Sequence, residues 1–133
     1  MKMKRILYMI IGVTLLLTGC DKEYSDNGHL DGFWQLTSSP GITWSFQGHI
    51  LELRDVNKVH QDIVMSFTRE GNKLKLSAPY RVDRDLDDVA LEDADLLVPY
   101  GIGSTSAEFN IVKLTSSHMV LDDANNTLEF RKY

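Results

Sequence analysis

Asp83, Asp85 and Asp87 alternate within an acid-rich run, the spacing by which an EF-hand loop offers its first, third and fifth calcium ligands. That loop also needs Gly at its sixth position and a bidentate Glu at its twelfth, and this chain has Asp88 and Ala94 there. The match fails where the geometry is most demanding, leaving either weak adventitious calcium association or a plain solvated acidic loop. His29, His49, His60 and His118 are scattered, and no two stand at the close spacing that puts paired imidazoles on one helical face. No Gly-x-Ser-x-Gly elbow is present to anchor Ser–His–Asp chemistry. Carboxylates are plentiful, but glycoside hydrolysis depends on the separation of two of them in space, which nothing in their spacing favours. Asn125-Asn126-Thr127 fits a glycosylation sequon and reads better as hairpin-turn chemistry. The expectation is a non-enzymatic chain with no catalytic residues, no metal site and no cofactor.

The remaining reactive side chain is Cys20, the sole cysteine. Before it stand Lys2, Lys4 and Arg5, then an apolar run over residues 6–17 broken only by Tyr8, Gly12 and Thr14. Twelve residues are too few for a bilayer-spanning helix, which takes about 20. A basic flank, a short apolar stretch and small residues before a cut make a secretory signal. Leu17-Thr18-Gly19-Cys20 resembles the bacterial lipobox. The resemblance implies a diacylglycerol on the Cys20 sulfur, removal of residues 1–19, and acylation of the new amine. One acyl chain anchors only marginally, at about 0.8 kcal/mol per buried CH₂, so two or three are needed for stable attachment. The expected address is the cell envelope, lipid-anchored to the outer membrane on its periplasmic or outer side. Asp21-Lys22-Glu23 resembles the charged signal by which Bacteroidetes send lipoproteins to the outer surface, and an ordinary solvated linker explains it equally well.

With Cys20 modified, no thiol remains for a disulfide, a nucleophile or a Cys-based metal site, so stability must come from packing. Removing the signal takes away three cations and moves the formal net charge from −5 to −8. That balance argues against a phosphate-tracking nucleic-acid binder, which needs a basic footprint. The remaining 114 residues suffice for one domain. Residues 20–28 read as a flexible tether carrying Cys20, and residues 29–133 as the folded domain.

The elements of that domain follow a period near two, the strand pattern. Phe33-Trp34-Gln35-Leu36 opens it, Trp44 and Phe46 alternate with Ser45 and Gln47, and Ile50-Leu51-Glu52-Leu53-Arg54 follows Gly48. Ile63, Met65 and Phe67 share a face; Arg69-Glu70-Gly71-Asn72-Lys73 is a turn by its chemistry, and Leu74 and Leu76 return. Phe109 with Ile111, Met119-Val120-Leu121, and Leu128 with Phe130 supply the remaining strands, the last two joined across residues 122–126. About eight short strands joined by polar turns predict an all-β antiparallel meander closing as a barrel, which leaves no exposed edge. Residues 81–103 are the exception. They read as a strand end, a long acidic loop, a helical turn, and an apolar patch, Leu96-Leu97-Val98-Pro99-Tyr100, that folds back over an opening. Connections of this length are uncommon and often functional.

Gly32-Phe33-Trp34 matches the Gly-x-Trp of the first strand in lipocalins. Together with the lipobox, Phe109-Asn110-Ile111-Val112-Lys113-Leu114 and Met119-Val120-Leu121, it resembles the lipocalin-like lipoproteins of gut Bacteroidetes, a family of unknown function. The resemblance spans the whole mature domain. It implies an up-and-down barrel whose tryptophan plugs the closed end, with a last-strand arginine packed across that tryptophan; Arg131 is the nearest residue. A barrel of this size either fills with side chains or holds one small ligand. Trp34, Trp44, Phe46, Met65, Phe67, Tyr80 and Tyr100 are the candidate lining of an apolar pocket, with simple core as the alternative. The expected partners are the membrane, through acyl chains on Cys20, and a small apolar or amphipathic ligand. A filled barrel would instead serve as an interaction module for an envelope protein.

Overall fold

The structure is a computed structural model that describes residues 27–82 and 88–133. The signal sequence, Cys20, residues 21–26 and the Asp83, Asp85 and Asp87 series lie outside the described residues. Nine strands follow a one-turn 3-10 helix at Gly28–Leu30. They are β1 (Gly32–Leu36), β2 (Ile42–Gln47), β3 (Ile50–Asp55), β4 (Ile63–Glu70), β5 (Lys73–Arg81), β6 (Val89–Ala90), β7 (Ala107–Leu114), β8 (His118–Asp122) and β9 (Thr127–Lys132). A second 3-10 turn, Val98–Tyr100, lies between β6 and β7.

All pairings are antiparallel, in the order β4-β3-β2-β1-β9-β8-β7-β5-β6, and an additional β4–β5 pairing closes the ring. Eight strands therefore form the barrel, as the alternation predicts. Short β6 is the addition: it pairs with the last two residues of β5, while β7 pairs with the first four.

Two tight hairpins set the register. Gln47 pairs with Ile50 and Glu70 with Lys73, leaving Gly48-His49 and Gly71-Asn72 as two-residue loops. Each glycine has positive φ at the first loop position, where a side chain would be strained. Strand alternation then sorts the residues. Trp34 and Leu36 point in while Phe33 points out; Ile63, Met65 and Phe67 are buried while Ser66 and Thr68 are exposed.

Two bulges break the alternation. Val64 pairs with Tyr80 and Ser66 with Ser77, so β5 carries one extra residue around Ala78, whose φ is +51°. A bulge of this kind bends its strand and re-aims the side chains beyond it. Here it turns Pro79 inward and frees the end of β5 from β7 to meet β6. The second bulge adds a residue to β7 at Val112 and brings Leu114 back toward the core.

The interior is one hydrophobic cluster contributed by every barrel strand. Trp44 sits at its centre, 4.8 Å from Phe130 and 6.1 Å from Phe109 and Phe46 between ring centroids. Phe46 meets Phe67 edge-on at 5.0 Å. Each such aromatic pair contributes about 0.5–1.5 kcal/mol beyond area burial. No helix among the described residues is long and apolar enough to cross a membrane.

Candidate functional site

Both ends of the barrel are stoppered by the chain itself. At the closed end the Gly28–Leu30 turn crosses the opening, Leu30 is fully buried, and the Trp34 indole N–H donates to the Leu30 carbonyl at 2.8 Å. Asn27 and Gly28, read from sequence as the last of the tether, belong to this stopper. The Asn27 amide donates to Asp31 and to the Gly48 carbonyl, and the Arg69 guanidinium donates to the Asn27 carbonyl. Across Trp34 lies Lys132, its Nζ 4.5 Å from the ring centroid and donating to the carbonyls of His29 and Asp31. Arg131, the residue expected there from the lipocalin resemblance, is exposed; alternation turns it away from Trp34 and the role falls to its neighbour. Burial lowers the Lys132 ammonium below its usual value, and the nearby Asp31 carboxylate partly offsets this.

At the opposite end the segment after β6 turns inward. Leu97, Tyr100 and Ile102 are all fully buried. The Trp44 indole N–H donates to the Tyr100 carbonyl at 3.1 Å, and the Tyr100 hydroxyl donates to the Gln61 carbonyl at 2.7 Å. Gly101 leaves this turn with φ +88°, so the chain can reverse there. Burial pushes the Tyr100 phenol well above its ordinary value of 10.0, and the Asp62 and Asp55 carboxylates add to that. Of the apolar patch expected to fold over an opening, Leu97 and Tyr100 enter the barrel while Leu96 and Val98 stay exposed.

Six of the seven candidate pocket residues thus meet in one place. Trp34, Trp44, Phe46, Met65, Phe67 and Tyr100 are all buried in the same cluster, where they pack against each other. Tyr80 does not join them. Counting by twos from Leu74 and Leu76 puts it inside, but the Ala78 bulge inverts the alternation, and Tyr80 borders a shallow outer hollow with Leu91 and Thr105. Pro79 was the available signal, since proline in a strand marks an edge or a bulge.

The larger concavity lies outside. A groove of about 930 Å³ runs up the flank of β1–β3, from Phe33 and Tyr133 near the closed end to the 56–62 loop near the open one. Phe33, Val56, Val59 and Tyr133 give it exposed apolar surface; Arg54, Lys58, His60 and Asp62 add charge and hydrogen-bonding groups. Asp55 shapes the loop. It is 7% exposed, and its carboxylate accepts from the backbone N–H of Asn57 at 2.9 Å and of His60 at 3.2 Å. The Val56 N–H donates to the Gly41 carbonyl, holding the loop to the start of β2. Arg54 is paired with Glu52 on the same strand. Sequence reasoning missed this groove, although two valines in a polar connection, Val56 and Val59, were a visible sign of it. Among the described residues, no three His, Cys, Asp or Glu side chains converge as metal ligands.

The groove thus lies on the flank of a barrel whose interior is filled by its own side chains. Two solved structures are similar in fold. A lipocalin-like protein from Bacteroides uniformis ATCC 8492 is similar with a TM-score of 0.61 at 16% identity, over 80% of this chain and 100% of its own. An uncharacterized protein from Bacteroides eggerthii DSM 20697 gives 0.55 at 16% identity, over 78% and 99%. No curated protein matches the chain. The family of lipocalin-like domains matches residues 15–133, from before Cys20 to the last residue, and the chain belongs to that family.

Proposed function

We propose that this chain is a non-enzymatic lipoprotein, anchored through acyl chains on Cys20 to the outer membrane of the cell envelope, that binds a small apolar or amphipathic ligand in its flank groove. One observation carries the choice of site. The barrel interior is occupied by Tyr100 and its neighbours, whereas the groove offers about 930 Å³ with apolar and charged groups side by side. Ligand pockets for small molecules have this size. The test is thermal unfolding of the chain from residue 20 onward, carrying Cys20→Ser, with lipids, bile-acid-like compounds and haem. A ligand at a hundred times its Kd stabilises the native state by about 2.7 kcal/mol. The expected result is stabilisation by one class that Val59→Asp abolishes; stabilisation by none of them removes the ligand reading.

The filled interior also favours a second reading, a docking module for an envelope protein that uses the acidic open end. Deleting the whole loop would remove Tyr100 from the core, so the discriminating variant neutralises Glu92, Asp93 and Asp95, of which all three are exposed. Pull-down from membranes that recovers the same partners from this variant counts against the open end.

A further inference from the structure

The chain carries its charge in two opposed caps. Among the described residues, the closed end carries Arg69, Lys73, Lys113, Arg131 and Lys132 against Asp31, Glu70 and Glu108, the last paired with Lys73 at 3.5 Å. At the open end stand Asp55, Asp62, Asp88, Glu92, Asp93, Asp95, Asp122 and Asp123, with Arg54, Lys58 and Arg81 the cations among the described residues there. The closed-end cations come from β4, β5, β7 and β9, which lie on one continuous arc of the ring, β9-β8-β7-β5-β4, while β1, β2 and β3 contribute none. Exposed apolar residues share that end: Val112 at 59% beside Lys113 and Tyr133 at 77% after Lys132, with Phe33 at 59% and Ile50 at 45% on β1 and β3. Phe33 and Tyr133 are neighbours, the Tyr133 N–H donating to the Phe33 carbonyl.

We infer that the closed end is a docking face for an anionic phospholipid surface. Three features converge on that occupant. A cationic arc that shares one end of the barrel with exposed aromatic and aliphatic side chains suits an interface of negative head groups over acyl chains, where aromatic rings settle at head-group level. The open-end acids do not cancel the attraction, because nine-residue β5 gives a tilted barrel about 20 Å tall. That exceeds the Debye length of about 8 Å at physiological salt. Finally, the chain enters the barrel at this same end. Asn27 is fastened to the closed-end stopper and lies seven residues after Cys20, so a lipidated Cys20 holds this face within about 25 Å of the bilayer. This last point rests on the anchor proposed above; the charge and apolar pattern does not. The acidic open end then faces away from the membrane.

The test separates docking from anchoring by using the chain from residue 20 onward with Cys20→Ser, whose core residues all fall between Leu30 and Phe130. Sedimentation is compared on vesicles of phosphatidylcholine alone and of phosphatidylcholine with phosphatidylglycerol in equal parts. The expected result is binding to the anionic vesicles only, weakened by salt. Each basic residue near an anionic surface adds about five-fold to partitioning, so Lys113→Glu with Arg131→Glu lowers it by well over ten-fold. Phe33→Ser with Tyr133→Ser also lowers it, and should that pair fail to fold, Ile50→Ser with Val112→Ser replaces it. Asp93→Asn with Asp95→Asn at the other end leaves partitioning unchanged. Equal binding to both vesicle types, no binding to either, or indifference to the Lys113 and Arg131 reversals overturns the inference. Palmitate incorporation into the unaltered chain reads the anchor independently, so either idea can fail alone.

Discussion

Trp34 and Trp44 are direct cross-strand partners in β1 and β2, yet their indole N–H groups serve opposite ends of the barrel. Trp34 donates to the Leu30 carbonyl in one stopper and Trp44 to the Tyr100 carbonyl in the other. A buried indole N–H without an acceptor costs about 1–3 kcal/mol, so each tryptophan ties the barrel wall to one closure.

The open-end closure is therefore a stability element. Tyr100→Ala removes a fully buried ring and should cost about 3–5 kcal/mol. Tyr100→Phe keeps the ring, loses the bond to the Gln61 carbonyl, and should cost about 1 kcal/mol. Urea unfolding followed by tryptophan fluorescence measures both.

The same residue sets an alkaline limit. The Tyr100 phenol is raised above its ordinary value of 10.0, so the native state holds that proton where the unfolded chain releases it. Its contribution is complete below pH 10 and is lost as pH rises beyond that, by up to about 1.4 kcal/mol per pH unit. Lys132 runs the other way: its pKa is lowered from 10.5, so its contribution grows as pH approaches 10.5 from below. Unfolding free energies measured between pH 9 and 11 should fall at the top of that range in the wild type, and less in Tyr100→Phe.

Lys132 and Arg131 are adjacent cations with different work. Lys132→Met loses the contact with Trp34 and two carbonyl acceptors, and should cost about 1–2 kcal/mol. Arg131→Ala at an exposed position should stay within about 0.5 kcal/mol. Equal losses from the two would contradict the assignment of the cation to Lys132.

Gly101→Ala tests how the chain leaves the barrel mouth. The position has φ +88°, and a Cβ would stand 2.8 Å from a Leu128 methyl. A loss of more than about 1 kcal/mol is expected from backbone strain and crowding together, read as a lowered urea midpoint.

Asp55→Ala leaves the backbone N–H groups of Asn57 and His60 without their acceptor. The expected cost is about 1–3 kcal/mol, together with faster amide exchange confined to the 56–62 loop. Exchange that rises across the barrel instead would show that Asp55 supports more than the groove wall.

Period-two alternation made most of the barrel legible, because a half-buried strand must show its sidedness in its residue types. The hairpin at Gly71-Asn72 and the pairings of Phe109, Ile111, Leu121, Leu128 and Phe130 come from it directly. Departures from that period escaped. Ala78 takes positive φ without the glycine that would announce it, and the resulting bulge moves Tyr80 to the outside. Alternation sets Arg131 opposite buried Phe130 and Lys132 on the Phe130 face, but the stopper that uses Lys132 has no local signature, since the Leu30 turn brings the His29 and Asp31 carbonyls to its ammonium. The groove arises from residues far apart in sequence, Phe33, Val59 and Tyr133, which no local pattern joins.

The insertion of Tyr100 gives the barrel a resident competitor. A short tethered segment acts at an effective concentration in the millimolar range. A free molecule seeking the same interior must first displace it, and its apparent affinity is scaled by the fraction of chains in which the segment has withdrawn. It must also offer a new acceptor to the Trp44 N–H. Occupancy of the interior is thus governed by an equilibrium within one chain, and substitutions at Tyr100 or Gly101 are the means of tuning it.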